Sequence, residues 1–181
     1  MRRNRTYSNE YPCWFVTTTF HDWLHLLLDD SYYLVLSNSI NYCCEKYSAD
    51  IIGYVWMPSH IHFVVYFNVE SKLSDFMRDF KKFASSVLRR KLQEDNRLLV
   101  EQALRYQNRT QEFRIWMSRY DAVPLWTREI LLTKINYIHN NPVKCKLCVS
   151  RNDYQFSSAG FYESAVSKDI VKVRHVSELI W

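Results

Sequence analysis

Glycine is almost absent from this chain: among its 181 residues only Gly53 and Gly160 are glycines. P-loops and dinucleotide-binding loops both need clustered glycines, because there the backbone itself approaches phosphate. Neither loop can be built here. Any phosphate chemistry of this protein therefore depends on side chains and metal ions.

The chain also lacks a long apolar run, although 48% of its residues are hydrophobic. No stretch approaches the roughly 18 apolar residues that a membrane-spanning helix needs. The basic start, residues 1–5, is not followed by the apolar core of a signal peptide. We therefore expect a single globular domain without a membrane partner, in the cytoplasm and associated with the nucleoid.

The five cysteines show no spacing that predicts a disulfide framework. Cys145 and Cys148 form a CxxC pair, which together with His60 and His62 would supply four zinc ligands. A second CxxC pair is missing, and free cysteines commonly act as small buried apolar residues. We therefore disfavour a zinc site.

The most informative stretch is Met-Pro-Ser-His-Ile-His at 57–62, followed by Phe-Val-Val-Tyr-Phe. The pattern predicts a strand over 60–67, in which side chains alternate between two faces. One face is entirely apolar and belongs against a core: Ile61, Phe63, Val65 and Phe67. His60 and His62 share the other face, where two neighbouring imidazoles either bind one metal ion or simply satisfy hydrogen bonds.

A second stretch, Tyr-Ile-His-Asn-Asn-Pro at 137–142, adds groups that complete such a site. At the end of a helix, Tyr137 and Asn141 lie one turn apart on one face. A tyrosine hydroxyl, with a pKa of about 10, needs a metal ion or a cation to attack at neutral pH, and Lys134 lies one turn before Tyr137. His139 points to another side of the helix and is expected to be structural. Two histidines, an amide and a tyrosine together suit the cleavage of a phosphodiester.

The pattern along the chain predicts an α+β fold. Predicted strands cover residues 13–20, 51–57, 60–67 and 112–119. Predicted helices cover residues 31–47, 72–95, 98–104 and 128–140, with caps at Asp30, Ser71 and Thr127 and a stop at Pro142. The order β-α-β-β-α-β-α is that of a ferredoxin-like, RRM-like four-stranded antiparallel sheet with an added C-terminal helix, which carries the tyrosine. We expect residues 1–150 to form this domain and residues 151–181 to form a C-terminal extension of it.

These motifs resemble those of a known family. Met-Pro-Ser-His-Ile-His is similar to the HUH motif (His, hydrophobic, His) of single-tyrosine transposases, and residues 137–143 resemble the tyrosine motif of the same group. The resemblance is strongest to REP-associated tyrosine transposases (RAYT), which act on palindromic DNA repeats, and it covers residues 14–162. Gln155 and Phe156 replace a usual proline and tryptophan, and Lys146 replaces a usual glycine. These departures lie outside the proposed chemistry.

The resemblance implies a transposase that cuts and rejoins single-stranded, hairpin-forming DNA through a covalent 5′-phosphotyrosine intermediate. It implies that Tyr137 is the nucleophile and that His60 and His62 hold a divalent metal ion. Asn141, or otherwise Asn140, is the expected third ligand. A nitrogen and oxygen site for a phosphate substrate suits Mg²⁺ or Mn²⁺. The resemblance favours a monomer, and a homodimer that exchanges the tyrosine helix is the alternative.

The predicted helix over 72–95 has one apolar and one basic side. The apolar side consists of Leu73, Phe76, Phe80, Phe83 and Val87. The basic side, a candidate DNA-binding surface or an ordinary solvated face, consists of Arg78, Lys81, Lys82 and Arg89. Arg2, Arg3 and Arg5 form a second candidate arm for DNA. The tail aromatics Tyr154 and Phe156 either stack on unpaired bases or pack on the domain.

Two other functions are alternatives. The first is a catalytically inactive nucleic-acid-binding module on the same fold, which the intact set of His60, His62 and Tyr137 argues against. The second is a hydrolase of the histidine-triad class, which needs a third histidine two residues after His62, where this chain has Val64. Cleavage of a labelled single strand distinguishes a transposase from the first alternative, and a nucleotide hydrolysis assay tests the second.

Overall fold

The computed structural model describes residues 11–108, 111–164 and 170–179. Its strands are β1 (Cys13–Thr19), β2 (Ala49–Trp56), β3 (His60–Phe67), β4 (Arg105–Asn108), β5 (Gln111–Phe113) and β6 (Asp121–Pro124). Its helices are α1 (Asp30–Tyr47), α2 (Leu73–Glu94), α3 (Leu98–Ala103), α4 (Arg128–Lys144) and α5 (Ala159–Ser164). The main sheet is antiparallel with the order β2-β3-β1-β6, which confirms the predicted α+β, ferredoxin-like architecture.

The strand β3 alternates as predicted, and its apolar face packs in a core with α1 and α2. Ile61, Phe63 and Val65 are completely buried in this core. The N-cap of α1 is Asp29, one residue before the predicted cap, and its carboxylate accepts a hydrogen bond of 3.0 Å from Ser31 N. Burial of apolar side chains is the main stabilising contribution to such a fold, so this face is the stable foundation of the sheet.

The apolar side of α2 differs from the predicted one beyond Phe80. Phe83 is 43% exposed, and its ring stacks on that of Tyr42 with a centroid distance of 5.2 Å. The buried positions follow a row of i, i+4 steps: Phe76, Phe80, Ala84, Leu88 and Leu92. The prediction followed the largest side chains, whereas the helical repeat of 3.6 residues places small Ala84 after Phe80 on the buried face.

The predicted fourth strand over 112–119 is wrong. The strand β5 pairs with β4 in a separate two-stranded sheet, and β6 is the fourth strand of the main sheet. Trp116 forms an isolated bridge with Phe20 instead, and their rings stack at 4.4 Å between centroids. β6 escaped prediction because it is a short edge strand bounded by Asp121 and Pro124, two residue types that are depleted in strands.

The helix α4 packs on the other face of the main sheet. It contributes three side chains to a second core with Phe15 and Val64: Leu131, Ile135 and Ile138. Thr127 caps this helix as predicted, because its hydroxyl accepts a hydrogen bond of 3.2 Å from Ile130 N. Packing against the sheet therefore fixes the helix that carries Tyr137.

The predicted stop of α4 at Pro142 is wrong, because the helix continues to Lys144. Proline lacks the N–H that an interior helical residue donates, which usually bends or ends a helix. Here Pro142 lies in the last turn and is buried. The helix loses one backbone hydrogen bond at this position, and the proline ring packs against its neighbours. The backbone carbonyl of Pro142 accepts a hydrogen bond of 2.9 Å from Leu147 N, which closes the end of the helix.

The described part of the tail packs against the edge strand β2. Trp56 N donates to Phe156 O at 2.9 Å, and the Tyr162 hydroxyl donates to Ile52 O at 2.8 Å. Val171 is completely buried. The boundary expected at residue 150 stays a prediction. No helix within the described ranges has the length and apolar character that crossing a membrane requires.

Candidate active site

His60 and His62 lie side by side on β3, opposite Thr19 and Thr17 of β1. Their ring centroids are 4.9 Å apart. A hydrogen bond of 2.7 Å joins His62 Nδ1 to Thr17 Oγ1, and one of 3.1 Å joins His60 Nδ1 to Ser59 Oγ. In the tautomer in which Nδ1 donates these bonds, each Nε2 keeps its lone pair, as metal binding requires.

Both imidazoles are held in the neutral form. Burial, and then the charges of His60 and Lys134, lower the pKa of His62 to about 3. Burial, followed by the charge of His25, also lowers the pKa of His60. Neutral imidazole is the form that binds metal ions, so both rings are suited to a cation at neutral pH.

One buried atom of the histidine pair has the properties of a metal ligand. His62 Nε2 is buried and has no hydrogen-bond partner within the described part of the chain. A buried polar atom normally finds a partner, because an unsatisfied one destabilises the fold. Among the residues that the structure describes, no three His, Cys, Asp or Glu side chains cluster as a metal site. Within the described ranges, a third protein ligand would have to be of another type, such as the predicted amide of Asn141.

Tyr137 on α4 lies beside the histidine pair of its own chain. Its ring centroid is 5.4 Å from that of His62 and 5.9 Å from that of Phe15. Phe15 also stacks on His62, with a centroid distance of 5.6 Å. Tyr137 is 41% exposed, so its ring borders the solvent. The fold thus brings together two motifs that are far apart in the sequence.

Two lysines flank the Tyr137 ring. Lys134 Nζ lies 6.0 Å from its centroid and 4.8 Å from that of Phe15, and Lys144 Nζ lies 5.4 Å from the Tyr137 centroid. The sequence pattern indicated Lys134 but not Lys144, because Pro142 predicted an earlier end of the helix. Seven residues make two turns, so continuation of the helix returns Lys144 to the face of Tyr137. Both ammonium groups favour negative charge beside the phenol.

The two candidate amide ligands make contacts within α4. Asn141 is buried one turn after Tyr137, and its Oδ1 lies 3.7 Å from the Sγ of Cys145. Asn140 donates from Nδ2 to Asn136 O at 2.8 Å. These contacts leave the identity of the third metal ligand as a prediction.

His139 faces away from the site, as expected. It is buried, and a hydrogen bond of 2.9 Å joins its Nε2 to Ser158 Oγ in the tail. Burial, and then the charge of Arg151, lower the His139 pKa to about 4. Cys145 and Cys148 are both free thiols, of which Cys145 is exposed.

The predicted basic side of α2 divides into two parts. Arg78 forms ion pairs of 2.5 Å with Asp75 and 3.0 Å with Asp79, which partly neutralise it. The other three residues, Lys81, Lys82 and Arg89, line a groove of about 460 Å³ between α2 and residues 113–118. Arg78 is therefore a weaker candidate for phosphate contacts than the residues of this groove.

The α2 groove, defined by these three cations and residues 113–118, also has apolar walls. The Arg89 guanidinium stacks on Phe113 at 3.9 Å from the ring centroid, and its Nε is buried without a partner in the described ranges. Lys81 Nζ donates to Met117 O at 2.7 Å, and burial lowers the Lys81 pKa to about 8. A cleft that combines cations with aromatic walls suits a single nucleic-acid strand.

The two tail aromatics are engaged within the chain. Phe156 stacks on Tyr33 with a centroid distance of 3.7 Å, and the Tyr154 hydroxyl donates to Trp56 O at 2.8 Å. Of the two alternatives for these residues, the contacts favour packing over base stacking. The candidate DNA arm of Arg2, Arg3 and Arg5 lies outside the described residues.

Comparisons with known proteins identify the family. The sequence profile of the family described as "Transposase IS200 like" matches residues 25–141. Because this match covers more than half of the chain, the protein belongs to the IS200-like transposase family. The resemblance to single-tyrosine transposases seen in the sequence is thereby confirmed.

One solved structure supports the same fold. A REP-associated tyrosine transposase bound to a REP hairpin is 20% identical over 100% of both chains, with a TM-score of 0.65. At this identity, the similarity concerns the fold. A putative transposase from Deinococcus radiodurans R1 is 14% identical over 77% of this chain and 97% of that chain, with a TM-score of 0.46. No curated protein matches the chain.

Proposed function

We propose that this protein cleaves and rejoins single-stranded, hairpin-forming DNA through a transient covalent bond to Tyr137. The phenol oxygen attacks the phosphorus, the bond from phosphorus to the 3′ oxygen breaks, and the 5′ phosphate stays on the tyrosine. The phenol loses a proton and the leaving 3′ oxygen gains one. Attack by a 3′ hydroxyl reverses the step, so the reaction consumes neither water nor a high-energy cofactor.

The observation that carries this proposal is the position of Tyr137 beside His62 within one chain, with ring centroids 5.4 Å apart. Phe15 packs against both the His62 ring and the Tyr137 ring. Lys134 and Lys144 supply positive charge next to the phenol, where negative charge develops during attack on a phosphate. Nucleophile, cations and imidazoles therefore occupy one surface.

His60 and His62 are the proposed metal ligands, with Asn141 as the third. A bound Mg²⁺ or Mn²⁺ would polarise an oxygen of the scissile phosphate. Thr17 and Ser59 orient the two rings through hydrogen bonds to Nδ1. Neutral imidazoles would not cancel the charge of a bound cation, so the loaded site would attract an anionic phosphate.

The α2 groove is the proposed path for the DNA backbone, with Arg78 and the N-terminal arginines as further contacts. The solved transposase of the same fold is bound to a REP hairpin, which supports hairpin DNA as the substrate class. Because Tyr137 lies beside the histidine pair of its own chain, we propose that the monomer is the catalytic unit.

The replacement Tyr137→Phe tests the nucleophile. It removes one hydroxyl and no charge, so DNA binding and stability should stay close to those of the wild type. Cleavage of a labelled hairpin strand should fall at least about a thousandfold, as for other lost nucleophiles. The covalent protein–DNA adduct, seen on a denaturing gel, should disappear. Tyr42→Phe removes a hydroxyl from an exposed tyrosine of α1 and is the matched control, which should cleave normally.

Two outcomes would contradict this proposal. Cleavage by Tyr137→Phe at the wild-type rate would exclude Tyr137 as the nucleophile. If the wild type binds the hairpin strand but forms no adduct in Mg²⁺ or Mn²⁺, the protein is instead an inactive nucleic-acid-binding module. Mass spectrometry of the digested adduct would identify the attached residue directly.

A further inference from the structure

Trp23 is a large aromatic side chain that stays exposed at the edge of the candidate active site. It is 61% exposed, and its ring centroid lies 5.6 Å from that of His60, with an interplanar angle of 65°. The His60 ring is in turn 4.9 Å from that of His62. A nucleotide that presents its phosphate to the histidine pair would therefore have Trp23 beside its base.

The turn that carries Trp23 has an unusual backbone conformation. Asp22 and Trp23 have φ angles of 49° and 57°, so two consecutive residues lie in the left-handed region. This region is unfavourable for residues other than glycine. Such conformations persist only where the surrounding structure enforces them, and they cluster at functional sites.

Hydrogen bonds on both sides hold this turn in place. Phe20 N donates to Ser59 O at 3.0 Å, and His21 N donates to Ile115 O at 2.9 Å. Trp23 N donates to Phe20 O at 3.2 Å within the turn. Ile115 also lines the α2 groove, so one segment connects the groove to the turn. The exposed indole therefore has a rigid support next to the proposed path of the DNA.

We propose that Trp23 is a stacking platform for the unpaired base next to the phosphate at His60 and His62. This inference rests on the proposed function and adds a residue that contacts the substrate. An indole offers a flat apolar face on which any base can stack, so the contact holds a nucleotide without reading its sequence. Together with phosphate contacts in the α2 groove, the stack would set which phosphate lies opposite Tyr137.

A second exposed tryptophan provides a comparison within the chain. Trp126 is 56% exposed, and its ring contacts that of Tyr11 at 5.7 Å between centroids. It lies near the Cys13 end of β1, whereas His60 pairs with Thr19 at the opposite end. Isolated exposed aromatic residues often have no function. Trp126 shares the exposure of Trp23 but not its position, and is the matched control.

The test measures the affinities for oligothymidylate and for an abasic strand of equal length, both in the Tyr137→Phe background so that cleavage cannot interfere. Trp23→Ala should weaken oligothymidylate binding by about five- to a hundredfold, the effect of losing one base–aromatic stack. It should not change binding of the abasic strand or the salt dependence, because no phosphate contact is lost. Trp23→Phe should keep most of the affinity, and Trp126→Ala all of it.

Two results would overturn the proposal. One is an unchanged affinity of Trp23→Ala for oligothymidylate. The other is an equal loss of affinity on the abasic strand, which would indicate that the residue only supports the structure. Because this binding test does not depend on cleavage, failure of the stacking proposal and failure of the proposed chemistry can be distinguished.

Discussion

The two faces of β3 carry different kinds of side chain along a single strand. Toward α1 and α2 the strand presents Ile61, Phe63 and Val65, which are completely buried among apolar side chains. Toward α4 it presents His60 and His62. Each Nδ1 forms a hydrogen bond with a hydroxyl group, and His62 Nε2 has no partner in the described ranges. The first face gains free energy from burial alone. The second carries polar atoms whose burial is unfavourable unless a partner satisfies them.

This difference shows where the fold tolerates unfavourable groups. The buried, neutral His62 and the strained turn at Trp23 both occur on or beside the histidine face, whereas the apolar face of β3 presents only hydrocarbon side chains. Real proteins depart from favourable local choices mainly at functional sites, and they rely on the rest of the fold to hold them. Adjacent residues of β3 should therefore respond in opposite ways to substitution.

The adjacent pair His60 and Ile61 gives the largest expected contrast. His60→Ala should reduce metal-dependent cleavage more than about a hundredfold, because a proposed ligand is lost, while stability changes by less than about 1 kcal/mol. Ile61→Ala should lower the free energy of unfolding by about 2–5 kcal/mol, because its side chain is completely buried. The folded fraction of Ile61→Ala should still cleave. Urea unfolding measures the stability, and single-turnover cleavage at low temperature measures the activity. If both variants lost stability and activity to the same extent, the two faces would not differ in this way.

Acidification should destabilise the fold through buried histidines on the side of the sheet that α4 covers. Burial lowers the pKa of His139 to about 4, so between the usual pKa of about 6.5 and this value the unfolded chain binds a proton that the folded chain does not. Stability is therefore retained above pH of about 6.5 and falls as the pH drops to about 4, by at most about 3 kcal/mol for this residue. His62 acts in the same direction, because its pKa is also lowered.

The replacement His139→Gln isolates this effect. Glutamine can still form a hydrogen bond with Ser158 but does not titrate. The variant should lose less stability than the wild type between pH values of about 6.5 and 4, as measured by thermal or urea unfolding. Identical pH profiles of the two proteins would show that His139 does not carry the dependence.

Gly53 offers the smallest and most local test of how α4 is held. A Cβ added at this position of β2 would clash with Cδ1 of Ile135, two residues before Tyr137. Since Cδ1 is the flexible end of a side chain, Gly53→Ala should cost only about 1 kcal/mol of stability. It should slow cleavage severalfold, because the displaced Ile135 side chain lies on α4 close to Tyr137. Combination with Ile135→Val, which removes Cδ1, should recover part of the loss, and additive losses in the double variant would exclude this coupling.

The sequence predicts those features of the fold that depend on local patterns. The alternation of 60–67 predicted β3 and both of its faces, and the 137–142 motif identified Tyr137. The edge strand β6 and the continuation of α4 through Pro142 depend on tertiary contacts, which override the local preferences of Asp121 and Pro124 for loops and of Pro142 for a helix end. Local patterns therefore predicted the type of these elements better than their ends, and the roles of Tyr137 and the two histidines stay predictions.

Other parts of the candidate site carry no local signal. Thr17 is one of three consecutive threonines, and only the register between β1 and β3 selects it as the partner of His62. Trp23 lies in a short turn whose left-handed conformation the residue types do not favour. Pairing between distant strands and backbone strain are properties of the folded chain, so a single sequence does not reveal them.

We propose that one chain forms the whole site, in which Tyr137 acts together with His60 and His62 of the same chain. Mixing two inactive variants tests it directly: Tyr137→Phe, and a second chain with both His60→Ala and His62→Ala. Each variant should still bind hairpin DNA, and the wild type should cleave it in Mg²⁺ or Mn²⁺. If one chain builds the site, the mixture should cleave no more than either variant alone. Restored cleavage in the mixture would contradict it, because an active site could then be formed only between the tyrosine of one chain and the histidines of another.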